Sequence, residues 1–236
     1  MKEERIQNAF STEGMLFQVE YALEGAKKGM GCVIIIGKSS IVMAASKRIP
    51  EKLIDPTNVS SFFEILPSTV GVVSGYPMDV QETAFQTKKV GVQFLHTLGK
   101  EPTPDILARA LADKWQLRTQ ESSRRLTAAN LAVVGYDGEE PLLYHTDSSG
   151  SLLPYRAIAF GEGGTVMMKK LEKIFRPQEA DERVLQMALI ALSESLGSDY
   201  LATNVELAVL RKGVPLLRKT TDEIDALLVQ IAEESV

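Results

Sequence analysis

Few residues in this sequence are of the types that act as nucleophiles or metal ligands. One cysteine, Cys32, and two histidines, His96 and His145, occur among 236 residues. Cys32 opens an apolar stretch, where a free cysteine is usually a small buried hydrophobe. A structural zinc site needs four clustered ligands, which these three residues do not predict. The single cysteine excludes an intramolecular disulfide and favours a reducing, intracellular compartment.

Both histidines are interpreted as structural residues. His145 is followed closely by Asp147, but nothing nearby completes a set of metal ligands, so we expect a solvated or edge-strand side chain. We expect His96 to be partly buried on a helix. Arg124 and Arg125 form a short charge pair that is typical of a solvated loop.

A glycine-rich turn at residues 161–164 is the one pattern that could hold a phosphate group. It follows an apolar strand and precedes a helix, whose first amides could face an anion. Val166, however, stands where a dinucleotide-binding fingerprint needs its last glycine. We favour a tight turn that lets strand and helix pack closely, and a phosphate-ligand-binding protein stays open as an alternative.

Composition and periodicity predict one α+β domain over residues 1–236. The chain is 44% apolar and 24% charged with a net charge of −5, which is typical of a globular protein without a nucleic-acid-coating surface. No apolar run approaches the roughly 20 residues of a membrane span, and no secretory signal is expected. Predicted strands fall at residues 32–36, 41–45, 62–66, 70–73, 131–134, 142–145, 155–160 and 205–210. Predicted helices fall at 16–28, 80–98, 106–117, 166–175, 179–196 and after a capping box at 220–223. Grouped hairpins and paired helices favour two sheets covered by helices over a doubly wound parallel sheet.

The first predicted helix carries two apolar surfaces. Leu16, Val19 and Leu23 share one face, while Phe17 and Tyr21 lie on another. A short helix with two apolar faces is expected to contact more than its own domain.

Residues 10–22, FSTEGMLFQVEYA, closely resemble the signature that opens proteasome alpha subunits. Shorter matches extend over nearly the whole chain, and residues 47–55 and 223–226 are most similar to alpha type 6, the first position of the eukaryotic seven-membered alpha ring. The resemblance implies a four-layer α-β-β-α sandwich of the N-terminal-nucleophile hydrolase type. It also implies a non-catalytic structural and gating subunit of the outer alpha ring of the 20S proteasome.

The residues around the first core strand agree with a non-catalytic role. Catalytic relatives with this fold use a threonine at the mature N-terminus together with an aspartate and a lysine. Here Met30 precedes the strand, and Ser46 stands at the position of the aspartate. An N-terminal-nucleophile amidohydrolase, activated when a propeptide is removed to free Thr12 or another hydroxyl, stays open as an alternative.

The resemblance assigns the start of the chain to the ring. Residues 1–14 are expected to form a pore-facing tail, and residues 15–28 a ring-contact helix. The implied contact residues are Arg5, Phe10, Ser11, Glu13, Gly14, Phe17, Gln18, Glu20 and Tyr21. Other alpha subunits use a Tyr-Asp-Arg triplet in gating, and only its arginine is present here, as Arg5. This subunit is therefore expected to contribute little to pore closure.

Partners and location follow from the same resemblance. Expected partners are neighbouring alpha subunits, the underlying beta ring and activators such as the 19S regulatory particle, with no cofactor, metal, nucleic acid or membrane. At Ser61 many alpha subunits place a lysine that pairs with the C-terminal carboxylate of an activator, so weak tail docking is expected here. The implied process is ATP- and ubiquitin-dependent protein degradation in the cytoplasm and nucleus.

Overall fold

The computed structural model describes residues 8–49, 51, 53–197 and 200–234. Its helices are α1 (Phe17–Ala26), α2 (Pro77–Leu98), α3 (Pro104–Gln120), α4 (Gly164–Ile174), α5 (Asp181–Leu196) and α6 (Thr221–Glu234). Its strands are β1 (Cys32–Ile36), β2 (Ile41–Ser46), β3 (Phe62–Leu66), β4 (Thr69–Gly75), β5 (Ala129–Asp137), β6 (Glu140–Thr146), β7 (Leu152–Pro154), β8 (Ala157–Phe160), β9 (Val205–Leu210) and β10 (Leu217–Arg218).

Two five-stranded sheets form the centre of the molecule. The first has the order β10-β9-β2-β1-β8 and the second the order β3-β4-β5-β6-β7, with antiparallel pairing throughout. One apolar core lies between the sheets. A second joins the first sheet to α4, α5 and α6, and a third joins the second sheet to α2 and α3. The predicted four-layer α-β-β-α sandwich is therefore confirmed.

Strand β1 explains why the sheets are covered on both faces. Val33 and Ile35 pack toward the helices, while Cys32 and Ile34 pack between the sheets, and all four are fully buried. Because side chains alternate between the two faces of a strand, an unbroken apolar run requires a partner layer on each side.

Two short strands were not predicted from the sequence, and the buried face of α3 depends on the spacing of its apolar residues. Strands β7 and β10 have three and two residues, which is too short for a periodic pattern. On α3, Leu107, Leu111 and Trp115 are buried, whereas the apolar side chains of Ile106 and Leu117 are 37% and 52% exposed. The stripe spaced by four residues faces the sheet, and the apolar residues beside it remain at the surface.

The predicted solvent exposure of both histidines is wrong, although His96 lies on a helix as predicted. His145 lies on β6, which β5 and β7 flank, and its ring contacts Phe160 and Tyr155 at centroid distances of 5.1 and 6.0 Å. Its Nε2 atom is buried without a hydrogen-bond partner in the described part of the chain. His96 is exposed on α2. The strand β7 that covers His145 was too short to predict.

Arg125 also departs from the expected solvated charge pair. Its guanidinium donates two hydrogen bonds to the carboxylate of Asp79, one of them 2.8 Å long. Asp79 is buried at the start of α2 and also accepts the backbone N–H of Ala128 at 2.7 Å. The Arg125–Asp79 ion pair therefore holds the α3–β5 connection against α2.

Within the described ranges, no helix is long and apolar enough to cross a membrane.

Candidate functional site

A hydrogen-bonded turn leads into α1. The Ser11 hydroxyl accepts the backbone N–H groups of Glu13 and Met15 at 3.3 and 3.0 Å. The Gly14 N–H donates to the Ser11 carbonyl at 2.9 Å, and Gly14 has a φ of 78°, which glycine adopts without strain. This turn fixes the direction in which the chain enters α1 and leaves Phe10 73% exposed.

The inner face of α1 attaches the helix to its own domain. Val19, Ala22 and Ala26 are buried. Val19 and Ala22 form a small apolar cluster with Leu126, against which Leu16 and Leu23 pack. The helix lies against β4 and β5, at one end of the sandwich.

The outer face of α1 carries an aromatic pair. Tyr21 is 52% exposed, and its ring stacks on Phe17 with a centroid distance of 6.4 Å. Glu13 and Glu20 are exposed as well, whereas Gln18 is half-buried. The structure thus gathers most of the predicted contact residues on one end of the molecule, while Arg5 lies outside the described residues. The predicted helix 15–28 is shorter, because Lys27 ends it and a turn follows to Gly29.

Two glycines allow the chain after α1 to pack closely against the sandwich. A Cβ at Gly161 would lie 2.1 Å from the Met30 carbonyl oxygen, and one at Gly29 would lie 2.1 Å from the Gly75 nitrogen. The Glu162 N–H donates to the Gly29 carbonyl at 2.8 Å. Close packing of the backbone therefore accounts for the glycine at 161, as the tight-turn interpretation expected.

Met30, Ser46 and Ser61 line one cleft of about 720 Å³, which we call the Met30 cleft. Sequence reasoning treated the missing catalytic residues and the activator position separately and did not place them together. The Ser46 hydroxyl accepts the Gly31 N–H at 2.9 Å, and the Ser61 hydroxyl lies 3.6 Å from the Met30 sulfur. The pairing of β1 with β2 brings Met30 beside Ser46, and Ser61 reaches them from the start of β3 in the second sheet.

The surroundings of Ser61 include one carboxylate, that of Glu206, which is held in an ion pair. The Ser61 backbone N–H donates to the Glu206 carboxylate at 3.1 Å, and the Ser60 hydroxyl donates to the same carboxylate. Arg218 pairs with Glu206 from β10. Lysine side chains occur elsewhere along the Met30 cleft, at Lys28 and Lys47, but the position of Ser61 itself adjoins a carboxylate.

Cys32 borders this region and is chemically inert. Burial raises the pKa of its thiol to about 12, a hydrogen bond with Ser61 opposes part of that rise, and the Glu206 carboxylate adds to it. The thiolate is the reactive form, so this thiol is not a nucleophile at neutral pH. The prediction of a small buried hydrophobe is confirmed.

These features define a class of protein. The fold is a sandwich of the N-terminal-nucleophile hydrolase type, but the chain runs through α1 into Met30, where such an enzyme would begin with its nucleophile. The groups at positions 30, 46 and 61 are a thioether and two hydroxyls, which supply neither a free amine nor an acid–base pair. Groups of Cys, His, Asp and Glu that could bind a metal are likewise absent from the described residues.

Comparison with known proteins identifies the family. The model of the family described as "Proteasome subunit" matches residues 26–210. "Proteasome subunit alpha" of Methanocaldococcus jannaschii is 30% identical over 229 residues, which cover 97% of this chain and 87% of that protein. The proteins of the same name from Methanococcus maripaludis strain S2 and from Methanopyrus kandleri are 30% and 29% identical, over 95% and 89% of this chain and 87% and 85% of their own length. This chain belongs to the proteasome subunit family and is of the alpha type.

Proposed function

We propose that this chain is a structural subunit of the outer alpha ring of the 20S proteasome and helps to form the entry pore. It has no catalysis of its own and belongs to a threonine-protease complex. The observation that carries this proposal is the placement of α1. The helix occupies the end of the sandwich where a catalytic relative would need a free N-terminal nucleophile, and it exposes Tyr21, whose ring stacks on the half-buried Phe17.

An exposed tyrosine whose ring stacks on a second aromatic ring suits a permanent interface. Such interfaces resemble a domain core cut in half and are rich in Tyr, Phe and Met. Phe10 and Met15 extend the same end of the molecule with 73% and 39% exposure. We therefore assign residues 15–28 to ring contacts and residues 1–14 to the pore.

The surroundings of Ser61 support the proposal that activator tails dock weakly in the Met30 cleft. A terminal carboxylate at Ser61 would gain no charge-assisted hydrogen bond from the neutral hydroxyl, and the nearby guanidinium of Arg218 is already paired with Glu206. A cross-linking reagent on an activator C-terminus should leave this position unlabelled, and efficient labelling beside Ser61 would contradict the proposal.

A finer placement is proposed from the segments at 47–55 and 223–226. Their similarity to alpha type 6 supports the first position of a eukaryotic alpha ring, with other alpha subunits beside it, a beta ring below it and the 19S regulatory particle as an activator. That placement entails ubiquitin-dependent degradation in the cytoplasm and nucleus. The archaeal relatives described above support only the assignment to the alpha type. The placement at the first ring position therefore depends on residues 47–55 and 223–226.

Capture of the affinity-tagged chain from its source tests the function. We expect the other ring subunits and threonine-peptidase activity to co-purify, with activity unchanged by Ser46→Ala. Capture of the chain alone would contradict the assignment to the ring, and loss of peptidase activity in the variant would contradict the non-catalytic role.

Two alternative functions can be distinguished from the proposed one by simple measurements. An amidohydrolase released from a propeptide would lack residues 1–11, so intact mass distinguishes it. A free phosphate-ligand-binding protein would be a monomer whose melting temperature rises with inorganic phosphate.

A further inference from the structure

We draw no further inference here: the strongest candidate, the exposed apolar stripe of Met78, Phe85 and Val92 on the outer face of α2, is an unpartnered helix face, and nothing in the structure shows what covers it.

Discussion

At the scale of single residues, Asp79 is a charged group that the fold both buries and satisfies. Burial opposes its ionisation, but hydrogen bonds from Arg125 and the Ala128 N–H outweigh that effect and hold the pKa of Asp79 below its ordinary value of 3.8. A carboxyl whose pKa is lowered on folding stabilises the protein above its unfolded-state pKa, and this contribution is lost as the pH falls through the folded-state value.

Asp79→Asn should therefore lower the free energy of unfolding by about 1–2 kcal/mol at neutral pH, since the charge-assisted hydrogen bonds are lost. Chemical denaturation at several pH values measures this effect. The deficit relative to wild type should shrink as the pH falls below 3.8. Asp225→Asn, on the exposed face of α6, is the control, and equal stability of the two variants would contradict the account.

His145 provides a pH dependence of its own. Burial lowers its pKa from 6.5 to about 4, and the nearby Asp147 carboxylate offsets only part of that change. Between these values the unfolded chain binds a proton that the folded chain does not, so acidification favours unfolding.

The free energy of unfolding should fall by up to about 1.4 kcal/mol for each pH unit between 6.5 and about 4. His145→Phe, which retains a ring against Phe160, should flatten this slope, whereas His96→Gln on exposed α2 should preserve it. An unchanged slope in His145→Phe would show that another group is responsible.

At the scale of elements, the junction between α1 and the sandwich depends on backbone contact. Gly161 has a φ of 85°, and a Cβ there would lie 2.1 Å from the Met30 carbonyl oxygen. Gly138 has a φ of 58° with no atom within 4 Å of its Cβ position.

Gly138→Ala should cost about 1 kcal/mol from backbone strain alone. Gly161→Ala should cost about 3 kcal/mol or more, because the strand or the turn must also move. Thermal unfolding of both variants measures the difference. Equal losses would show that the close approach at Met30 does not constrain the fold.

The aromatic pair on α1 gives a prediction about assembly. Phe17→Ser together with Tyr21→Ser should leave Val19, Ala22 and Leu126 packed, so the variant should fold, but it should enter full-size particles poorly. Leu201→Ser, which alters a residue with 59% exposure near β9, is a control that should assemble normally. Normal incorporation of the aromatic variant would mean that these rings serve only their own domain.

The elements were largely predictable from the sequence, whereas the contacts between distant segments were not. The apolar run at Cys32 and the capping box at Thr220, whose side chain and that of Glu223 exchange hydrogen bonds with the backbone, are local signals. The pairing of Arg125 with Asp79, the burial of His145 and the meeting of Met30 with Ser61 depend on long-range packing. No periodic pattern reports such contacts, and the short strands β7 and β10 were missed for a related reason, because neighbours define them.

At the scale of the whole molecule, a fold of the N-terminal-nucleophile hydrolase type has a structural role instead of a catalytic one. The chain buries its own cores, so it does not need a partner to complete them. It nonetheless exposes the aromatic side chains of Phe10 and Tyr21 at and before α1. This exposure is explained if the chain has neighbours in a ring.

The size of the native particle tests this central claim most directly. Sedimentation of the natural source extract, followed by detection of this chain, should place it with a large multi-subunit assembly, and intact mass from that fraction should include residues 1–11. A stable monomer, or a chain that has lost its first residues to expose a nucleophile, would contradict the account.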